Sequence, residues 1–219
     1  METRTSHKWS KSADRLNLQF LDFNEDYPNI GEKFFLPPLD TVNCNDYKAF
    51  SENSLISTFV DDYILERYWN NPVKYSKIMK KAGVGYAMSP DFTVLVGMPE
   101  PIIAYQIYKN RLVGYVWKKK GIKIIPTISW GDKKSFAYSI KGITFGSIIA
   151  VSNIGCRNEE QKRFFDAGYN YVMEHIQPEK VIFMSNNKYR ASYESDKTIF
   201  IQSHFEKKRK QWEAEADKL

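Results

Sequence analysis

Cysteine and histidine are scarce in this chain, and their scarcity removes the most familiar chemistries first. Only two cysteines, Cys44 and Cys156, and three histidines, His7, His175 and His204, occur in 219 residues. The cysteines stand far apart, without a C-x-x-C pair or a histidine neighbour, so neither a zinc site nor a disulfide framework is expected. A reducing cytosol fits that usage. The histidines are too scattered for a metal pair or a Ser-His-Asp triad, and His175, near a predicted helix end, is explained by the helix dipole. Long apolar runs are missing as well. No stretch approaches the roughly 20 apolar residues of a membrane span, and the first fifteen residues are polar and charged, unlike a secretory signal. A cytoplasmic protein without a membrane partner is expected. Nucleotide loops are also absent: Gly83-Val84-Gly85 precedes a strand instead of following one, and no phosphate-loop motif occurs. Neither NAD nor ATP is therefore expected as a cofactor.

What is present is a beat. Leu55–Val60 runs into Asp61 and Asp62, Val84–Met88 into Ser89, Pro90 and Asp91, and Ile122–Ile128 into Ser129, Trp130, Gly131 and Asp132. Ile148–Val151 then leads to Ser152 and Asn153, and Val181–Met184 to Ser185 and Asn186. Between these short β-branched runs lie segments with helical signals. Pro72 stands at a first helical position, Gly83 and Gly121 close helices, and Asn158 caps another that ends at Gln177-Pro178. Helices are predicted over 63–69, 72–82, 99–120, 133–140 and 158–176. Strands alternating with helices imply parallel βαβ units, so the fold class is α/β, a single domain with a mainly parallel sheet of about five strands and flanking helices. The alternation does not separate an open doubly wound sheet from a partial barrel; a full eight-stranded barrel usually takes about 250 residues. Residues 1–50, with Phe34-Phe35-Leu36-Pro37-Pro38-Leu39, are expected as an irregular leader packing on the core. Residues 51–204 form the α/β domain, with a further strand near 198–202, and 205–219 a charged terminal helix.

Several of these segments also resemble a known family. Phe59-Val60-Asp61-Asp62 with Glu66-Arg67-Tyr68-Trp69-Asn70-Asn71-Pro72, then Ser89-Pro90-Asp91-Phe92, Asn110-Arg111, and Gly121 through Trp130 are similar to the DUF4417 family, as is Gln177-Pro178 before a final strand. The resemblance spans roughly residues 55–187. It implies a phage or mobile-element accessory protein, a class rich in replication, transfer and anti-defence functions, and supplies no reaction. The family pattern has a Tyr-Gly pair after its last strand, where this chain has Met184-Ser185.

In a parallel sheet the polar residues that follow each strand share one rim, where ligands gather. Asp61, Asp91 and Asp132 are the candidate catalytic residues there, with Asp61 and Asp91 as a candidate Mg²⁺ or Mn²⁺ pair suited to phosphoryl or phosphodiester chemistry. The competing reading is that each aspartate caps the helix after it, Asp62 being the better cap and Asp61 the better site residue. Arg67 and Arg111 offer guanidinium forks for an anion, or pairs that tie helix to sheet. Trp130 offers a stacking face, and Ser152 and Ser185 offer hydroxyls as further ligand-binding candidates. The formal charge of +6 permits nucleic acid as a partner and equally serves solubility. Two functions follow from this: a nucleic-acid-associated protein, with or without metal-dependent catalysis, and a non-enzymatic binder of a host protein. Oligomeric state is not legible.

Overall fold

The computed structural model describes residues 16–185, 188–203 and 206. Its seven strands are β1 (Asp40–Asn43), β2 (Ser54–Ser57), β3 (Tyr86–Met88), β4 (Lys123–Ile125), β5 (Ile149–Ser152), β6 (Val181–Met184) and β7 (Thr198–Ile201). The helices are α1 (Asp62–Asn70), α2 (Pro72–Lys81), α3 (Glu100–Lys119), α4 (Lys133–Ser139) and α5 (Glu159–Ile176). The fold is α/β, as the alternation implies. All pairings are parallel, in the orders β1-β2-β3-β4 and β5-β6-β7. A single parallel bridge, Thr127 to Ala150, joins the two sheets, with Ala150 N donating to Pro126 O (2.8 Å) and Ile128 N to Ala150 O (2.9 Å).

Each strand therefore lies beside its predecessor in sequence, and the order never reverses. A doubly wound sheet needs such a reversal; sequential order is that of a βα barrel, here with β1 and β7 as its edges among the described residues. The alternation of side chains along the strands agrees with one helix-covered face. Ile56, Ala87 and Ile124 pack with Leu65, Trp69, Leu112 and Trp117 of α1 and α3. Ile149, Val151, Val181 and Phe183 pack with Phe165, Val172 and Ile176 of α5. The alternate residues, Leu55, Met88, Ile125, Ala150 and Ile182, form a separate cluster, and the side chains laid on it are Phe34, Leu36 and Leu39 of the N-terminal segment.

Asp40–Asn43, within the segment expected to be irregular, adds β1 to the edge of the sheet. The breaks fall where local chemistry demands. Pro72 opens α2 directly after α1, and Gly83 and Gly121, both at a φ of +80° that other residues resist, end α2 and α3 just before the next strand. Both cysteines are buried and outside any disulfide. No helix among the described residues is long and apolar enough to cross a membrane. The charged helix expected over 205–219 lies, apart from Glu206, outside the described residues, as does Asn186.

Candidate functional site

The carboxyl ends of β3, β4 and β5 enclose a cavity of about 510 Å³. Its walls come from the β3–α3 loop (Asp91, Val94, Leu95), the β4–α4 loop (Ser129, Trp130), the end of β5 (Ser152, Asn153), and the first turns of α5 (Gln161, Phe164). Because β2 to β5 are parallel, Asp61, Asp91, Trp130, Asp132 and Ser152 all follow strands on one edge of the sheet. Of these, the cavity brings together Asp91, Trp130 and Ser152.

Asp91 is the chemical centre. Its carboxyl is buried, and Oδ1 has no hydrogen-bond partner. Burial pushes its pKa from 3.8 to about 7, and the charge of Asp62 pushes the same way; the Ser129 hydroxyl and the Arg111 guanidinium oppose the rise. A carboxyl so placed exchanges its proton near neutrality. Asp62, on the first turn of α1, contrasts with it. Its carboxylate accepts from Thr93 N (3.0 Å), Thr93 Oγ1 (2.8 Å) and Gln106 Nε2 (3.1 Å), pinning the β3–α3 loop. Asp132 pins the other end of that loop through Gly97 N (3.0 Å) and lies 3.6 Å from Lys134 Nζ.

The structure thus distributes the aspartate roles differently from the sequence expectation. Asp61 and Asp132 occupy the N-cap positions of α1 and α4, yet neither side chain makes a capping bond. Asp61 is exposed and outside the cavity wall, and the carboxylate whose field reaches Asp91 is that of Asp62. The cavity does not bring Asp61 and Asp91 together, because Asp91 lines it and Asp61 does not. Among the described residues no group of three or more His, Cys, Asp or Glu side chains is arranged to hold a metal ion.

Arg111 is fully buried and faces main-chain carbonyls instead of the rim. Nε donates to Lys141 O (2.7 Å), Nη1 to Thr127 O (3.1 Å) and Asn110 Oδ1 (2.5 Å), and Nη2 to Ser139 O (2.6 Å). Burial lowers its pKa to about 9. Neither an anion clamp nor a carboxylate pair describes it: the guanidinium stitches α3 to the end of α4 and to the strand end at Thr127. Its neighbour Asn110 donates to Pro90 O (2.7 Å) and Thr127 Oγ1 (2.6 Å), so the residue before Asp91 is held from below. Thr58 Oγ1 and Thr127 Oγ1 both donate to Ser89 O, at 2.6 and 3.0 Å. Arg67 lies away from the cavity, its Nη1 3.5 Å from Tyr47 OH, a contact that raises its pKa.

Trp130 is a wall rather than a loose platform. Its Nε1 donates to Phe165 O (3.2 Å), its ring lies 5.0 Å from that of Phe165, and a Cβ on Gly168 would come within 2.2 Å of it. Gly168 is what lets the ring close onto α5. Ser152 lines the cavity and accepts from Ile154 N (3.3 Å). Ser185 is buried and outside the cavity wall.

Sequence reasoning did not single out Gln161, Phe164, Glu160 or Cys156 as parts of the wall. The Cys156 thiol lines the cavity, with its pKa raised by burial and by Asp166. The signal for the α5 residues was available: a helix that starts right after a strand end presents its first turn to the rim.

A parallel βα protein with a buried acid at its carboxyl-end rim is a class broad enough to hold many activities. Within it, this chain belongs to the family described as a domain of unknown function, DUF4417, whose model matches residues 22–204. The Gene 1 protein of Mycobacterium phage L5 is 28% identical over 191 residues, which cover 82% of each chain. The Gene 1 protein of Mycobacterium phage D29 is 26% identical over 220 residues, covering 95% of this chain and 80% of the phage protein. No solved structure matches the chain.

Proposed function

We propose that this is a nucleic-acid-associated phage or mobile-element accessory protein whose working site is the rim cleft, acting by proton exchange at Asp91. The observation that carries the proposal is the Asp91 carboxyl itself: buried, incompletely hydrogen-bonded, titrating near 7 and set in the wall of a ligand-sized cavity at the strand ends. A carboxyl tuned to neutrality is what general acid–base catalysis requires. The phage relatives support the phage half, and the net charge of +6 is compatible with the nucleic-acid half.

Metal-dependent phosphodiester chemistry at Asp61, Asp91 and Asp132 has less support, because only Asp91 faces the cavity and Asp132 already holds Gly97 N. Thermal unfolding with Mg²⁺ or Mn²⁺ tests this directly: an ion bound only by the folded state raises the melting temperature. No shift is expected in the wild type. A shift that vanishes in Asp91→Asn reinstates the metal.

Nucleic-acid association is tested by titrating labelled single- and double-stranded DNA and RNA at about 50 and 200 mM salt. Affinity should fall steeply with salt as phosphate contacts release counterions. The second reading, a non-enzymatic binder of a host protein, is favoured by the exposed apolar side chains at the cleft mouth, Leu95 (58% exposed), Val96 (53%) and Phe164 (40%). It requires a stable protein complex with little salt dependence, and no oligonucleotide binding at low salt.

A further inference from the structure

We infer that the rim cleft receives an uncharged planar nitrogen heterocycle, the chemistry of a nucleobase, with its ring against Trp130 and its N–H edge toward Asp91. This rests on the cleft being the working site. Charge is the first constraint. Among the described residues the cavity wall contains two ionisable carboxyls, Asp91 and Glu160, and no Lys, Arg or His. A phosphate or carboxylate ligand would enter against like charge with no counter-cation. The first turn of α5 offers no anion seat to offset that. It carries Glu159 and Glu160, Gln161 N is taken by Asn158 Oδ1 (2.9 Å), and Arg157 N by Gln161 Oε1 (2.8 Å). The charged part of any ligand stays outside.

Hydrogen bonding is the second constraint. Asp91 lines the cavity; its Oδ1 is buried without a partner, while the carboxyl also meets the Ser129 hydroxyl. A protonated carboxyl donates and accepts at once, matching an edge that pairs an N–H with a ring nitrogen or carbonyl. Shape is the third. Trp130 is held by Phe165 and packs against Gly168, a rigid aromatic part of a wall that Val94 and Leu95 also line. Stacking on such a wall tolerates any base identity. The volume of about 510 Å³ accommodates a ring system with its sugar at the mouth.

The base has two sources, a free nucleoside or a base turned out of a strand. The test uses the full chain with adenosine, guanosine, cytidine, uridine and thymidine, their 5′-monophosphates, and cyclohexylamine as a non-planar donor, by calorimetry and tryptophan fluorescence. A short single strand, intact or with one abasic position, supplies the second source. At least one nucleoside should bind, about tenfold more tightly than its monophosphate, and Asp91→Leu, which removes both donor and acceptor, should weaken it about tenfold, the loss of one good hydrogen bond. Trp130→Phe, which preserves the wall's packing, should weaken it less. An abasic strand that binds more weakly than the intact one, with nucleosides competing, assigns the base to a strand; nucleoside binding that strands do not displace assigns it to the free compound. Monophosphates binding as tightly as nucleosides would overturn the inference, as would cyclohexylamine binding better than every nucleoside in an Asp91-dependent way, which leaves the working site standing. If binding of no probe depends on Asp91, the site assignment itself fails and takes the inference with it.

Discussion

The two ends of the parallel sheet are built from different materials. At the amino end the chain returns from helix to strand through short connections before three strands, 82–85 before β3, 120–122 before β4 and 177–180 before β6, while 140–148 before β5 is longer. Gly83, Gly121 and the left-handed Gln177 close the helices there. At the carboxyl end the loops at 89–99, 126–132 and 153–158 are longer, and they hold the acids, hydroxyls and aromatic wall of the cleft. The contrast teaches where each demand is met: turn chemistry and packing at one end, incompletely satisfied polar groups at the other. Barrel enzymes separate stability from chemistry in the same way. Asp62 and Asp91 show the division in miniature. One carboxylate has three donors and fixes a loop, while its neighbour keeps an oxygen without a partner.

Each substitution that respects or violates this division has an expected effect. The largest belongs to Arg111→Met, which removes the donors of Lys141 O, Ser139 O and Thr127 O from a fully buried site. With each unsatisfied group costing about 1–3 kcal/mol, a loss of about 3–5 kcal/mol is expected by urea denaturation. A loss under about 1 kcal/mol would mean the framework beneath the cleft is not held by Arg111.

Asp91 should instead weaken the fold as it ionises. Its folded pKa of about 7 lies above the unfolded 3.8, so between those values the folded state holds a proton that the unfolded chain has released. Stability therefore falls with rising pH through that window, by about 1.4 kcal/mol per unit, and levels off above it. In Asp91→Asn the slope should disappear, leaving the variant as stable as the wild type near pH 4 and more stable at pH 8.

Gly168→Ala drives a Cβ into the Trp130 ring and should cost about 1–3 kcal/mol, with a change in tryptophan fluorescence that reports the displaced wall. Asp62→Asn should cost about 1 kcal/mol, since the amide keeps one acceptor for Thr93. The smallest effect is expected for Gly85→Ala at the amino end. A Cβ there meets nothing within 4 Å, so stability should stay within about 0.5 kcal/mol of the wild type.

Much of the fold was legible because its signals are local. The β-branched runs ending in polar residues located β2 to β6, and Pro72, Gly121 and Asn158 placed helix boundaries within a residue or two of those observed. The strands proved shorter than the apolar runs: Leu55–Val60 and Ile122–Ile128 reduce to Ser54–Ser57 and Lys123–Ile125, since their last residues turn into the loops. Asp40–Asn43 was not legible as a strand. It is short, mostly polar, and lies just after Pro37-Pro38, and its identity depends on pairing with β2. Strand order is likewise a long-range property, which is why the open sheet and the partial barrel could not be separated beforehand.

The site was legible at the level of the rim and illegible at the level of contacts. Asp91, Trp130 and Ser152 follow strands and could be named, but whether Asp61 or Asp62 faces Asp91 depends on the direction in which α1 leaves the sheet. Arg111 shows the same limit. Its apolar followers Leu112 and Val113 marked a buried helix face, yet the carbonyls it binds come from segments well removed in sequence.

The carboxyl end holds one acid tuned to neutrality by burial and by Asp62. Carboxyl-detected NMR titration of Asp91 in the full chain, alone and with Asp62→Asn, measures it directly. The wild-type group should titrate near 7, and the Asp62→Asn change should lower that value by removing the neighbouring charge. An Asp91 that titrates near 3.8 in both proteins would mean that neither burial nor Asp62 tunes it.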